Sequence, residues 1–238
     1  MLGRPRWLTL EAKYLDRARS FYETHLGLEP ERESDDEVVY PTGEARLRLR
    51  APGAVPRGGL HVHYALSVPA SAYDDWYERL DGPFDLTEHR FGDARSLYLY
   101  DPDGNCVELG EADDAGTDGD GSGAGGEGGI TSLFEVVLEV EDLDAATAFY
   151  SALGCDVIDR GDRRRRVRLT AGDVDLELWE PHLGLADARG GVHVDWGIAA
   201  DEPAELADQV RGDALAVWET DDGVRIRDPD GHYLTLCA

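Results

Sequence analysis

Side chains that could hold a metal ion or move a proton are unevenly represented in this chain, which has 50 Asp and Glu residues against 7 His and 3 Cys. The cysteines Cys106, Cys155 and Cys237 form no close-spaced ligand pair, and their odd number argues against a disulfide framework. His61 and His63 lie on one face of an apolar, strand-like segment, because alternate residues of a strand point the same way. Each is either a metal ligand or a half-buried structural histidine.

The charge balance indicates which partners to expect. Lys and Arg total 23, so the formal net charge is −27, and Lys13 is the only lysine. A surface this acidic repels phosphate backbones and anionic lipids, so we expect a small-molecule substrate and neither nucleic acid nor membrane as partner. Carboxylates without lysine indicate a halophile protein, kept soluble in molar salt where self-repulsion is screened. The chain has no long apolar run and no signal-peptide pattern, which predicts a cytoplasmic protein, monomeric or homodimeric.

Two further segments have the composition of possible anion sites. The basic cluster Arg163–Arg166, beside Arg168, is interpreted as charge pairing with neighbouring acids on a hairpin. The glycine-rich run Gly121–Gly129 has no phosphate-loop lysine. Neither segment therefore indicates a nucleotide ligand.

The chain repeats itself, which fixes the elements that must position any site. Phe21-Tyr22 returns 128 residues later as Phe149-Tyr150, and the tetrapeptide Asp-Pro-Asp-Gly occurs at 101–104 and again at 228–231. Between the halves lies a Gly- and Asp-rich stretch at 112–129, which predicts a flexible acidic linker. The predicted domains are therefore 1–111 and 130–238.

Each half divides again into two units with the order strand, helix and three strands. In the first unit, the pattern predicts a strand, a short helix and three strands at Trp7 to Lys13, Asp16 to Thr24, Leu28 to Glu33, Glu37 to Tyr40 and Ala45 to Arg50. In the second unit, Ser71 to Leu80 is predicted to be the helix. The sequence thus predicts an α+β protein of four βαβββ modules, at about 5–51, 59–111, 130–182 and 190–238.

This order resembles the vicinal oxygen chelate superfamily, which includes glyoxalase I, extradiol ring-cleavage dioxygenases and bleomycin-resistance proteins. The resemblance rests on the helix that ends in Phe-Tyr and Leu-Gly, and on Asp-Pro-Asp-Gly before Cys106-Val107-Glu108-Leu109. The stretches Gly59 to Pro69 and Ser96 to Asn105 are similar to four-module catechol 2,3-dioxygenase-like members. The resemblance implies two curled mixed sheets and one divalent metal ion per site, Fe²⁺, Mn²⁺, Ni²⁺ or Zn²⁺.

Family members chelate the metal with side chains from the first and last strands of two modules that share a cleft. Carried over position by position, the second and third modules supply suitable ligands, which are His63, Glu108, Glu135 and Glu177. The corresponding positions of the first and fourth modules hold Trp7, Arg48, Asp195 and Thr235. If the second module pairs with the third, the ligand set is complete, whereas pairing within each half divides it. We favour the second–third pairing, which leaves the first and fourth modules with a dead site.

The resemblance implies three alternative functions. By layout the chain resembles an extradiol dioxygenase, but those enzymes bind Fe(II) with two His and one carboxylate, and Glu135 replaces one of the histidines. The ligand set is more like that of a glyoxalase, in which Glu135 or Glu177 would be the catalytic base. His89 is a further candidate acid or base. The third alternative is a non-catalytic protein that binds small molecules, as bleomycin-resistance proteins do.

Overall fold

The structure is a computed structural model that describes residues 1–53, 62–113, 128–161, 165–180 and 194–238. Several predictions from the sequence fall outside the described residues. These are His61, Arg163, Arg164, the first residues of the fourth module and residues 114–127 of the predicted linker. The predicted domain boundaries on either side of that linker stay predictions.

The first two modules each contain one strand, one helix and three further strands. Module 1 consists of β1 (Leu2–Glu11), α1 (Leu15–Thr24), β2 (Arg32–Glu33), β3 (Glu37–Thr42) and β4 (Ala45–Arg50). Module 2 consists of β5 (His63–Pro69), α2 (Tyr73–Asp81), β6 (Thr87–Phe91), β7 (Ala94–Tyr100) and β8 (Cys106–Ala112), with a 3₁₀ turn at Ala70–Ala72 before its helix.

The last two modules repeat this order. Module 3 consists of β9 (Ser132–Glu139), α3 (Leu143–Ala152), β10 (Asp156–Arg160), β11 (Arg166–Ala171) and β12 (Val174–Trp179). Module 4 consists of β13 (Asp195–Ala200), α4 (Pro203–Val210), β14 (Ala216–Thr220), β15 (Gly223–Arg227) and β16 (Tyr233–Cys237).

The strands form two eight-stranded mixed sheets, with the orders β14-β15-β16-β13-β1-β4-β3-β2 and β10-β11-β12-β9-β5-β8-β7-β6. The predicted α+β class, with four βαβββ modules in two mixed sheets, is confirmed. Modules 2 and 3 share the second sheet, which is the pairing that the ligand positions favoured. Contacts divide the chain into two compact units, one of Met1–Glu11, Pro52–Val62 and Glu135–Ala238, the other of Ala12–Ala51 and His63–Phe134.

In modules 2, 3 and 4 the first and last strands run parallel, and in all four modules the last three strands form antiparallel hairpins. In module 2, β5 pairs with β8 in parallel, and β8 pairs with β7 and β7 with β6 antiparallel. Module 4 has the same pattern, with β13 parallel to β16. This register matters for function because it places a first-strand and a closing-strand side chain on the same face of the sheet.

Helix and strand limits differ from the sequence predictions by a few residues. The strand predicted from Trp7 begins earlier, at Leu2, and it pairs with β13 between Leu2 and Thr9. The helix predicted from Ser71 begins at Tyr73, because the chain first makes the 3₁₀ turn. No helix in the described part of the chain has the length and apolar character needed to cross a membrane.

In each half, the tyrosine of the Phe-Tyr motif forms a hydrogen bond with the first aspartate of the Asp-Pro-Asp-Gly motif. The hydroxyl group of Tyr22 donates to Asp101 Oδ2 at 2.9 Å and lies 2.6 Å from the hydroxyl oxygen of Tyr64. In the second half, the Tyr150 hydroxyl donates to Asp228 Oδ2 at 2.7 Å. All five side chains are buried. Phe-Tyr and Asp-Pro-Asp-Gly therefore join the helix of one module to the last hairpin of the next, which is a structural role.

Candidate metal centre

The second module brings an imidazole and a carboxylate together in the core. His63 begins β5, and Glu108 lies in the middle of β8, where it pairs with Ala65. Because alternate strand residues share a face, His63 and Ala65 point the same way, toward the side on which Glu108 stands. His63 Nε2 lies 3.2 Å from Glu108 Oε2, and both side chains are buried. The pair is thus a direct product of the parallel register.

Side chains of the neighbouring strand β7 help to lower the pKa of Glu108. Burial raises the pKa of this carboxyl group, but hydrogen bonds from His63, Ser96 and Tyr98 and the charge of His63 outweigh it, and the pKa falls below its ordinary value. The ring of Tyr98 also stacks on the His63 imidazole, with centroids 5.6 Å apart. Glu108 is therefore held as a carboxylate, which is the form that binds a metal ion.

Glu135 completes a cluster of three potential ligands. It lies in β9 and is buried, with 2% of its surface exposed. One ligand atom each from His63, Glu108 and Glu135 lie within 4.8 Å of one another, and among the described residues this is the one such group of three. Sequence reasoning named all three as ligands.

Glu177, the fourth expected ligand, has other partners. Its Oε1 accepts from Arg168 Nε at 2.7 Å and from Arg166 Nη1 at 2.9 Å, and its Oε2 accepts from Trp179 Nε1 at 2.6 Å. Both oxygens are therefore engaged by donors on its own hairpin, β11–β12. The cluster does not contain Glu177. Two arginines thus neutralise this carboxylate, and its role as a fourth ligand stays a prediction.

Arg168 is the residue near the cluster whose role the sequence did not indicate. Its Nη2 donates to Glu135 Oε2 at 2.6 Å while its Nε donates to Glu177, so one guanidinium joins two buried carboxylates. Burial lowers the pKa of Arg168, but the charges of Glu135 and Glu177 raise it above its ordinary value. The sequence carries no local signal for this bridge, because it depends on the strand register that places Arg168 directly opposite Glu177.

The basic cluster to which Arg168 belongs is an ion-paired hairpin where it is described. Arg165 pairs with Glu180 at 2.9 Å, and Arg166 pairs with Asp159 at 2.8 Å. These contacts match the charge pairing expected for the cluster.

His89, the further candidate acid or base, lies on β6 at the surface. Its ring contacts the edge of Tyr98, with centroids 5.2 Å apart, and Tyr98 in turn stacks on His63. His89 therefore touches a neighbour of the cluster and is not among the three clustered ligands.

The corresponding positions of modules 1 and 4 hold different chemistry. Asp195 accepts from Arg225 Nη2 at 2.7 Å, as Glu135 accepts from Arg168 in module 3. Trp7 lies against Gly197, where an added Cβ would stand 2.6 Å from the indole ring. In the described part of the chain, no group of three potential ligands includes a residue from these modules.

Comparison with known proteins agrees with this architecture. Residues 5–109 match the family model described as the Glyoxalase/Bleomycin resistance protein/Dioxygenase superfamily, and this part of the chain is therefore a domain of that superfamily. No curated protein sequence matches the chain.

Two solved structures cover almost the whole chain. A putative dioxygenase from Bacillus subtilis is 17% identical, with a TM-score of 0.72 over 99% of this chain and 85% of that chain. Glyoxalase I from Zea mays is 18% identical, with a TM-score of 0.69 over 98% of this chain and 92% of that chain. At these identities the likeness is one of fold.

Proposed function

We propose that this protein is a metal-dependent enzyme that holds one divalent cation through His63, Glu108 and Glu135. The substrate would be a small molecule that binds the metal through vicinal oxygen atoms. The observation that carries the proposal is the cluster of three buried ligand atoms within 4.8 Å of one another. Burial and mutual repulsion both oppose the ionisation of two carboxylates that lie so close together, so a bound cation would stabilise the pair further than Arg168 and His63 do.

The donor set fits a divalent cation of intermediate hardness. One imidazole and two carboxylates suit Mn²⁺, Fe²⁺, Ni²⁺ or Zn²⁺. Donors that share an ion at about 2.1 Å lie no more than about 4.2 Å apart, so ligand atoms within 4.8 Å need only a small closing movement. When bound, such an ion supplies Lewis-acid polarisation of a substrate oxygen.

The same donor set favours proton transfer over ring cleavage. Extradiol-type iron sites use two histidines and one carboxylate, whereas the cluster has one histidine and two carboxylates. A glyoxalase-type lyase or isomerase needs no redox change. We therefore propose glyoxalase-like chemistry first and dioxygenase chemistry second. Both solved neighbours support the fold alone and do not choose between them.

The chain's own side chains would divide the remaining tasks. Glu135 is the proposed base as well as a ligand, because of the two candidate bases, Glu135 and Glu177, it is the one that belongs to the cluster, and Arg168 holds it in orientation. Glu177 is proposed to hold Arg168 in place rather than to transfer a proton, because its oxygens already accept three hydrogen bonds. His89 stays a candidate acid or base through its contact with Tyr98.

The proposal is tested first by metal binding. The protein is stripped with EDTA and titrated with Mn²⁺, Fe²⁺, Ni²⁺ and Zn²⁺ by calorimetry, with metal content measured after desalting. We expect one ion per chain, and its loss in His63→Ala. His25→Ala is the matched control, since His25 packs against Phe21 and Phe84 and is outside the cluster. Equal binding by His63→Ala and the parent protein would contradict the site.

Activity then separates the three functions. Turnover of the adduct of methylglyoxal with a thiol by the metal-loaded protein supports the glyoxalase reading. Oxygen uptake with catechols by the Fe²⁺ form supports the dioxygenase reading instead. Metal binding without either turnover, together with saturable binding of small molecules, favours a binding protein. His89→Gln should lower turnover with unchanged metal content if His89 transfers a proton.

A further inference from the structure

A second group of polar and aromatic side chains lies on one face of module 4. We name it the module 4 face, and it consists of Asp195, Trp218, Arg225, Arg227, Tyr233 and Thr235. Arg225 is directly opposite Thr235 in the β15–β16 pair and opposite Trp218 in the β14–β15 pair. Residues directly opposite each other point to the same side of a sheet. Arg227 and Tyr233 are also opposite each other, two positions further along.

The face occupies the same register as the ligands of module 2. Thr235 pairs with Gly197, just as Glu108 pairs with Ala65. Asp195 precedes Gly197 by two residues, as His63 precedes Ala65. A metal is a poor fit to these positions, because the closing-strand residue is a threonine and Asp195 is already bonded to Arg225 at 2.7 Å.

Several hydrogen-bond donors on the face are buried without an acceptor. The Thr235 side chain is among the most buried polar groups, with 1% of the residue exposed, and its hydroxyl has no hydrogen-bond partner among the described residues. The Nε atoms of Arg225 and Arg227 are also buried and also have no hydrogen-bond partner among the described residues. Buried polar groups in folded proteins are normally hydrogen-bonded, so three such donors on one face call for an acceptor that the described residues do not supply.

The aromatic side chains provide apolar surface beside these donors. The Arg225 guanidinium lies 4.8 Å from the ring centroid of Tyr233 and 5.9 Å from that of Trp218. The two rings meet edge to face, with centroids 6.2 Å apart, and 39% of Trp218 is exposed. Aromatic side chains with an apolar body and a partly exposed face are typical of small-molecule sites.

Charge indicates which acceptor fits. The face contains two arginines and one aspartate, so it has one positive charge in excess, in a chain whose net charge is −27. Guanidinium and hydroxyl donors on one surface match the oxygens of a carboxylate. We infer that the module 4 face binds a small organic carboxylate that carries a planar apolar group, without a metal ion and separately from the His63 cluster.

Benzoate is the probe, and benzamide is its uncharged analogue of the same shape. Both are titrated by calorimetry into EDTA-treated parent protein. We expect saturable benzoate binding with a dissociation constant of about 1 mM or tighter, and at least tenfold weaker binding of benzamide. Absence of saturable benzoate binding overturns the inference, as does equal binding of the two compounds.

Variants then assign the binding to this face. Thr235→Val removes the buried hydroxyl at nearly constant volume, and we expect benzoate binding to weaken about tenfold, the effect of one hydrogen bond to a charged group. Arg227→Met should weaken it at least as much, and it serves as the second variant if Thr235→Val does not fold.

Two control variants must leave benzoate binding unchanged. Thr42→Val removes another buried hydroxyl that has no partner among the described residues, but on β3. His63→Ala disables the proposed metal cluster. Loss of benzoate binding in His63→Ala, or full binding in both Thr235→Val and Arg227→Met, would show that the probe binds elsewhere and would overturn the inference. The proposed metal site is tested separately, by the metal titration of the parent protein and His63→Ala.

Discussion

Modules 2 and 4 use the same strand register to present different chemistry. In module 2, Glu108 on the closing strand pairs with Ala65, and His63 lies two residues before Ala65 on the first strand. In module 4, Thr235 pairs with Gly197, and Asp195 lies two residues before Gly197. The backbone therefore offers the same two positions in both modules. The side chains alone decide whether those positions can hold a cation.

The strand opposite the closing strand explains the difference further. Glu108 faces Tyr98, whereas Glu177 faces Arg168 and Thr235 faces Arg225. In module 2 the tyrosine is neutral, so it can donate a hydrogen bond to Glu108 but does not form an ion pair with it. An arginine at the same position in modules 3 and 4 instead bonds to the first-strand acid, at 2.6 Å in module 3 and 2.7 Å in module 4. Only in module 3 does that acid also belong to the ligand cluster.

The comparison predicts that two arginine variants will lose a similar amount of unfolding free energy without metal, but that a divalent cation will stabilise one of them more than the other. Arg168→Met and Arg225→Met each leave a buried carboxylate without its cation, which should cost about 3 kcal/mol of unfolding free energy in metal-free protein. At the Mn²⁺ concentration that returns about 2.7 kcal/mol to the parent protein, which is 100 times the parent's dissociation constant, Arg168→Met should gain more than the parent, because the ion replaces the lost charge beside Glu135. Arg225→Met should gain no more than the parent protein gains.

Urea denaturation of both variants, with EDTA or with Mn²⁺, measures these differences. Arg211→Met is the control, since Arg211 forms an exposed pair with Asp208 on α4 and should change stability by less than about 1 kcal/mol. A larger metal-induced gain for Arg225→Met than for Arg168→Met would contradict the distinction between the two modules.

A second prediction concerns the acid that distinguishes module 2. Glu108→Gln preserves the shape of the side chain but removes its charge, so metal affinity should fall at least about 100-fold, the upper end of what loss of a supporting group costs. Glu88→Gln, at the surface of β6, should keep the affinity of the parent protein. Calorimetric titration with Mn²⁺ compares them, and equal affinities would remove Glu108 from the ligand set.

The sequence predicted the framework well because its motifs are local. The βαβββ order follows from hydrophobic periodicity and turn residues, and the repeats of Phe-Tyr and Asp-Pro-Asp-Gly bond to each other in both halves. His63, Glu108 and Glu135 were named as ligands from family positions, and the structure brings their ligand atoms together. Their binding of a metal stays a prediction.

The sequence could not show how Glu177 is used. Its position between Leu176 and Leu178 is that of a buried closing-strand residue, which suits a ligand and an ion-pair partner equally well. The difference is made by Arg166 and Arg168 on the neighbouring strand, and cross-strand pairing depends on a register that a single sequence does not reveal. The buried donors of module 4 could not be predicted from the sequence either, because their surroundings also depend on the strand register.

A third prediction tests how module 1 fills the position of a metal ligand. Gly197→Ala would place a Cβ 2.6 Å from the Trp7 ring, and an overpacked core of this kind costs about 1–3 kcal/mol. Its counterpart in module 2 is Ala65, which already carries a Cβ. Combining Gly197→Ala with Trp7→Leu should relieve the overlap, so that the double variant is more stable than the sum of the two single effects, as measured in a urea double-mutant cycle.

The smallest expected effect compares the two motif contacts. Tyr22→Phe removes a hydroxyl that bonds both Asp101 and Tyr64, whereas Tyr150→Phe removes one that bonds Asp228. Trp196 stands at the position of Tyr64 in module 4, and its Nε1 has no hydrogen-bond partner among the described residues. We expect Tyr22→Phe to cost about 2 kcal/mol and Tyr150→Phe about 1 kcal/mol, because a hydrogen bond to a charged group is worth about 1.5–3 kcal/mol and a neutral one about 1 kcal/mol, less what water at the vacated site restores. Equal costs in urea denaturation would mean that the Tyr64 contact adds nothing, and that the tyrosine–aspartate bond contributes equally within each half.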